Sequence, residues 1–102
     1  MKIFTDKNFE EKIKNGIVVV DFWASWCEPC RMTTSLLESL SKEFPKVVFA
    51  KCNIDRNKTT SQKYKIFNIP TVIIFKEGKV EAVIVGLTPK SLYRSKLKEL
   101  LK

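Results

Sequence analysis

Two cysteines separated by two residues, Cys27-Glu28-Pro29-Cys30, carry the clearest chemical signal in this chain. On a helix, residues three apart share a face, with Cβ atoms about 5–6 Å apart, so two sulfurs need little adjustment to bond. A helix N-terminus presents unpaired N–H groups and the positive end of the peptide dipoles, which favour a thiolate at Cys27. Pro29 suits a first helical turn, where its missing N–H costs nothing. The expected chemistry has two steps. Cys27 attacks a disulfide to form a mixed disulfide; Cys30, one turn further in and more shielded, resolves it.

Two other uses of the pair are weaker. A zinc knuckle needs about four ligands, and the chain offers only one further cysteine, Cys52, and no histidine. Structural bridges usually close longer loops than this one.

The elements that must hold this pair follow from periodicity. Asp6 is placed to cap a short helix carrying Phe9 and Ile13, ended by Asn15-Gly16. Ile17 to Ala24 reads as a strand, apolar on both faces except at Asp21, so the pair lies where a buried strand passes into a helix. Met32, Leu36, Leu37, Leu40 and Phe44 recur at helical spacing ahead of Pro45. Val47 to Ile54 is strand-like, and Asn57 to Tyr64 reads as a short helix. Thr71–Phe75, Glu77-Gly78 and Val80–Val85 form an antiparallel hairpin. Thr88-Pro89 then starts a helix carrying Leu92, Tyr93, Leu97, Leu100 and Leu101. With a short extra strand at Lys2 to Phe4, this predicts an α/β domain over residues 1–102, a mixed four- to five-stranded sheet with helices on both faces.

Composition narrows the function classes. The chain has 102 residues, 44% hydrophobic and 29% charged, the balance of a soluble globular domain. No apolar run approaches membrane-spanning length, and Met1 to Asp6 holds no signal-like run. A cytoplasmic protein is therefore expected, with a secreted form that has lost its leader as the alternative. The formal charge of +8 favours acidic partners. Lys90, Arg94, Lys96, Lys98 and Lys102 spread along the last helix without an aromatic platform for bases, so nucleic acid is not an expected partner. No phosphate-binding glycine motif is present, and no metal, flavin or nucleotide cofactor is expected.

The segment Val20-Asp21-Phe22-Trp23-Ala24-Ser25-Trp26-Cys27-Glu28-Pro29-Cys30 resembles the active site of the thioredoxin family. Ala50-Lys51-Cys52-Asn53-Ile54-Asp55, Ile69-Pro70-Thr71, Phe75-Lys76-Glu77-Gly78 and Val85-Gly86 continue the resemblance in order along nearly the whole chain. It implies the thioredoxin fold and a protein-disulfide reductase, with protein disulfides as substrates, a thioredoxin reductase as electron donor, and a monomer as the working unit. The rivals are a disulfide oxidant or isomerase of an oxidising compartment, and a non-catalytic binding or chaperone module.

The resemblance also assigns roles. A carboxylate in an apolar strand must be protonated, paired or functional. By resemblance Asp21 lies beneath the cysteines, with a raised pKa, as general base toward Cys30. Lys51 reads on pattern as a snorkelling strand-end lysine, and by resemblance pairs with Asp21. Pro70 is implied to be cis and to face the cysteines, within a docking surface of Trp26, Ile69, Thr71 and Gly86. Trp23 is expected in the core, and Cys52 as a small core residue. Glu28 stands where the family commonly has glycine, and is expected to oppose the Cys27 thiolate and make the pair more reducing. Ser35 stands where the family commonly has a kinking proline.

Overall fold

The computed structural model describes all residues, Met1–Lys102. Its elements run β1 (Lys2–Ile3), α1 (Phe9–Lys12), β2 (Ile17–Trp23), α2 (Glu28–Ser41), β3 (Val48–Asn53), α3 (Lys58–Lys63), β4 (Thr71–Lys76), β5 (Lys79–Val85) and α4 (Lys90–Leu100). The strands form one mixed sheet in the order β1-β3-β2-β4-β5. β1 and β2 both run parallel to β3, while β4 is antiparallel to β2 and to β5. This is the thioredoxin fold expected from the sequence, with the short first strand as its fifth member.

Side chains alternate across β2, so this one strand feeds both layers of the core. Ile17 and Val19 join Leu37 and Leu40 of α2, Tyr93 and Leu97 of α4, and Val72 and Ile74 of β4. On the opposite face Val18, Val20 and Phe22 meet Phe9, Ala50, Cys52, Ile73 and Phe75. Asp21 follows Ile17 and Val19 onto the α2–α4 face.

Several local expectations change. Asp6 does not cap α1, whose N-cap is Asn8. Its carboxylate instead accepts the Thr60 N–H at 2.9 Å and the Thr60 hydroxyl at 2.7 Å, serving the first turn of α3. Thr88 does not cap α4 either; its hydroxyl bonds the Gly86 carbonyl, and Pro89 takes the N-cap. α2 ends at Ser41, ahead of Pro45, and runs unbroken through Ser35. Of the apolar residues at helical spacing, Met32, Leu92 and Leu101 are exposed, because Cys30, Thr33, Leu37 and Leu40 form the buried stripe of α2 and Tyr93 and Leu97 that of α4. Glu43 joins the two helices through a two-pronged contact with Arg94 at 2.8 and 3.0 Å. The Arg94 guanidinium holds that carboxyl at about 2.

The candidate dithiol site

β2 ends at Trp23, and the chain turns within four residues into α2. The turn is closed by the Cys27 N–H donating to the Ala24 carbonyl at 3.1 Å. Cys27 is the N-cap of α2, and its sulfur accepts the Cys30 N–H at 3.3 Å. Pro29 lies in the first turn, where no N–H is required of it. Cys27 and Cys30 are joined as a disulfide, with Cα atoms 5.4 Å apart. Both residues are well covered: Cys27 is 5% exposed and Cys30 2%. The shielding difference between them is therefore small. What distinguishes Cys27 is its cap position, where its sulfur receives a backbone N–H as an anion would.

The cysteines and Ala24 pack on Trp23, Ile54 and Ile69. The Ile69–Pro70 peptide is cis. The Gly86 N–H donates to the Pro70 carbonyl at 2.8 Å, tying the end of β5 to this loop. Gly86 has φ +84°, which disfavours a side chain on backbone grounds, and the space beside it is open. Thr71 differs from its expected place. It is buried, and its hydroxyl bonds the Asn68 carbonyl at 2.5 Å, so it braces the loop instead of facing outward. Trp26 is 68% exposed, as expected of a rim residue. Its indole N–H donates to Asp55 at 2.9 Å, which fixes the ring beside Cys27.

Asp21 is fully buried. Burial pushes its carboxyl up to about 6, against the opposing pull of the Thr34 hydrogen bond and the Lys51 charge. The Thr34 hydroxyl donates to Oδ2 at 2.5 Å, while Oδ1 has no partner. Cys30 and Thr34 are four residues apart on α2, hence on one face of it. Asp21 is thus hydrogen-bonded to the residue one helical turn beyond Cys30. Thr34 and Cys30 also line a cleft of about 330 Å³ with Trp23, Ser35, Glu38 and Lys51.

Lys51 lies opposite Asp21 in the β2–β3 ladder. It does not form the expected ion pair. Its ammonium sits over the Trp23 ring, 4.8 Å from the centroid, and acts on Asp21 only through space. Trp23 is correspondingly half-buried in the cleft wall and not wholly in the core. The side chain of Glu28 is 83% exposed and faces Arg31 at 3.8 Å. Solvent and that guanidinium screen its charge, which reduces the expected effect on Cys27. Cys52 is fully buried, and burial raises its thiol to about 12, so it is an inert core residue.

Sequence reasoning missed Thr34, Arg31 and Asp55. Arg31 was legible three residues after Glu28 on the helix. Asp55 and Thr34 are set by tertiary packing, and no local pattern marks them.

Comparison with known proteins agrees with this geometry. The thioredoxin family model matches residues 1–99. A thioredoxin of Chlamydia pneumoniae is 47% identical over 90 residues, 88% of each chain. Thioredoxins of Staphylococcus haemolyticus and Staphylococcus aureus are 42% and 41% identical over 87 residues, covering 84% of each chain.

Proposed function

The chain belongs to the thioredoxin family and is a thiol–disulfide oxidoreductase that reduces protein disulfides, and from that premise we propose how its residues divide the work. Cys27 attacks the substrate disulfide, and one substrate thiolate leaves. Cys30 then gives its proton to Asp21 and attacks the Cys27 sulfur. The Cys27–substrate bond breaks, the second substrate thiolate leaves, and the pair is left oxidised. The observation that carries this reading is the Cys27–Cys30 disulfide at the α2 N-terminus, with a buried carboxylate hydrogen-bonded to Thr34, the residue one helical turn beyond Cys30.

Lys51 favours the ionised form of Asp21 through space. Ile69, Pro70 and Gly86, with the exposed Trp26 ring, form the surface against which a substrate backbone docks, and Thr71 braces it from beneath. Glu28 and Pro29 complete the turn. The chain works as a single domain, 1–102, and as a monomer. A thioredoxin reductase returns it to the dithiol, and the cell compartment is the cytoplasm. No helix is long and apolar enough to cross a membrane. The cycle calls on no group beyond the two sulfurs and the carboxyl.

Equilibrating the protein against a dithiol buffer, with intact mass as readout, gives the potential of the pair. A value below about −230 mV is expected of a reductase; one near −120 mV would mark a disulfide donor instead. Absence of any reversible couple would leave only a binding module.

A further inference from the structure

Thr34 occupies an unusual position for a helical threonine. Inside a helix its hydroxyl commonly bonds the carbonyl four residues earlier. Here it turns across to β2 and donates to Asp21 Oδ2 at 2.5 Å, in the range of a charge-assisted O–H···O contact. The other carboxyl oxygen, Oδ1, is one of two buried side-chain polar atoms in the chain without a partner. Asp21 itself does not line the cleft, but Thr34 does, beside Cys30.

We propose that Thr34 is a positioning residue for the dithiol chemistry: its hydroxyl pins Oδ2 of Asp21, leaves Oδ1 to take the Cys30 proton, and sets the pH at which that acceptor is ready. The proposal rests on the reading of Asp21 as the base. The groups that bear on Asp21 come from three elements. α2 supplies Thr34, Cys30 and the Glu38 charge, which disfavours ionisation; β3 supplies the Lys51 charge, which favours it; α4 supplies the Tyr93 hydroxyl. β4 contributes only apolar Val72 opposite Asp21. Among these, Thr34 makes the only hydrogen bond to the carboxylate. Removing it withdraws more stabilisation from the charged form than from the neutral one, so the carboxyl titrates higher.

The test follows resolution directly. Reduced protein is mixed with an aromatic disulfide probe, and release of the second aromatic thiol, which reports attack by Cys30, is timed across a pH series. In wild type the rate rises with pH as Asp21 ionises. In Thr34→Val that rise is expected about one pH unit higher, from the loss of one hydrogen bond to a charged group. Thr34→Ser, which keeps the hydroxyl, returns it to the wild-type position. Thr34→Ala supplies the same comparison if the valine variant folds poorly. A Thr34→Val or Thr34→Ala profile superimposable on wild type, with Asp21→Asn losing the acid limb, would overturn the role of Thr34 alone. An Asp21→Asn profile that keeps the acid limb would overturn the reading of Asp21, and this proposal with it.

Discussion

The two faces of the sheet are built from the same strands to opposite ends. The face under α1 and α3 is dominated by aromatic packing: Phe9 meets Phe4, Phe22, Tyr64 and Phe75 with ring centroids 5.3–5.9 Å apart. The buried polar groups at the edge of that side, Asn57 and Thr60, are hydrogen-bonded. The face under α2 and α4 holds a buried carboxyl and leaves both Asp21 Oδ1 and Tyr93 Oη unpartnered. An unsatisfied buried polar group typically costs about 1–3 kcal/mol. Both faces bury a sizeable apolar cluster, and only the second keeps a carboxyl among it. Reactivity therefore resides on the face that leaves buried polar atoms unsatisfied.

Three substitutions would break or sharpen that contrast. The largest effect belongs to the aromatic face. Phe9→Ala should lower stability by about 3–5 kcal/mol in urea denaturation, while leaving the pH dependence of disulfide reduction where it is. A shift in that pH dependence would mean the two faces are coupled.

Asp21→Asn should act in the other direction. The folded carboxyl at about 6 lies above its ordinary value of 3.8. The neutral form is therefore favoured in the fold, and the stability it contributes, fully present below pH 3.8, is lost as pH rises through 6. Removing that titration should raise stability at neutral pH by about 3 kcal/mol relative to wild type, with the gap closing in acid. Denaturation of both proteins across pH checks it; a gap independent of pH would assign the change to packing. Tyr93→Phe is the smallest. Deleting an unpartnered hydroxyl should be neutral or stabilising by up to about 1 kcal/mol. A clear loss of stability would show that the hydroxyl has a partner in solution.

The order of strands and helices was legible because each element carries its own period and its own stop signal, as in the Glu77-Gly78 turn. The dithiol was legible from spacing, and the cost of a buried charge singled out Asp21. Residues whose partners are distant in sequence were not. Asp6 looks like the cap of its own helix until Thr60, 54 residues away, is seen to donate two hydrogen bonds to its carboxylate. Lys51 was expected against Asp21 by resemblance, but the Trp23 face competes for its ammonium. Helical spacing marked Met32 and Leu92 as members of their helices without showing that they stay exposed, because apolar type alone does not say which side of an apolar stripe the neighbouring elements cover.

The most direct test of the account is to trap its intermediate. Cys30→Ser protein, reduced and exposed to a disulfide-bonded protein substrate, should accumulate a one-to-one mixed disulfide that peptide mapping by mass spectrometry places at Cys27. Cys27→Ser should accumulate none at that position and lose turnover. A Cys30→Ser protein that forms no adduct, or forms it at Cys52, would contradict the assignment of Cys27 as the attacking thiol.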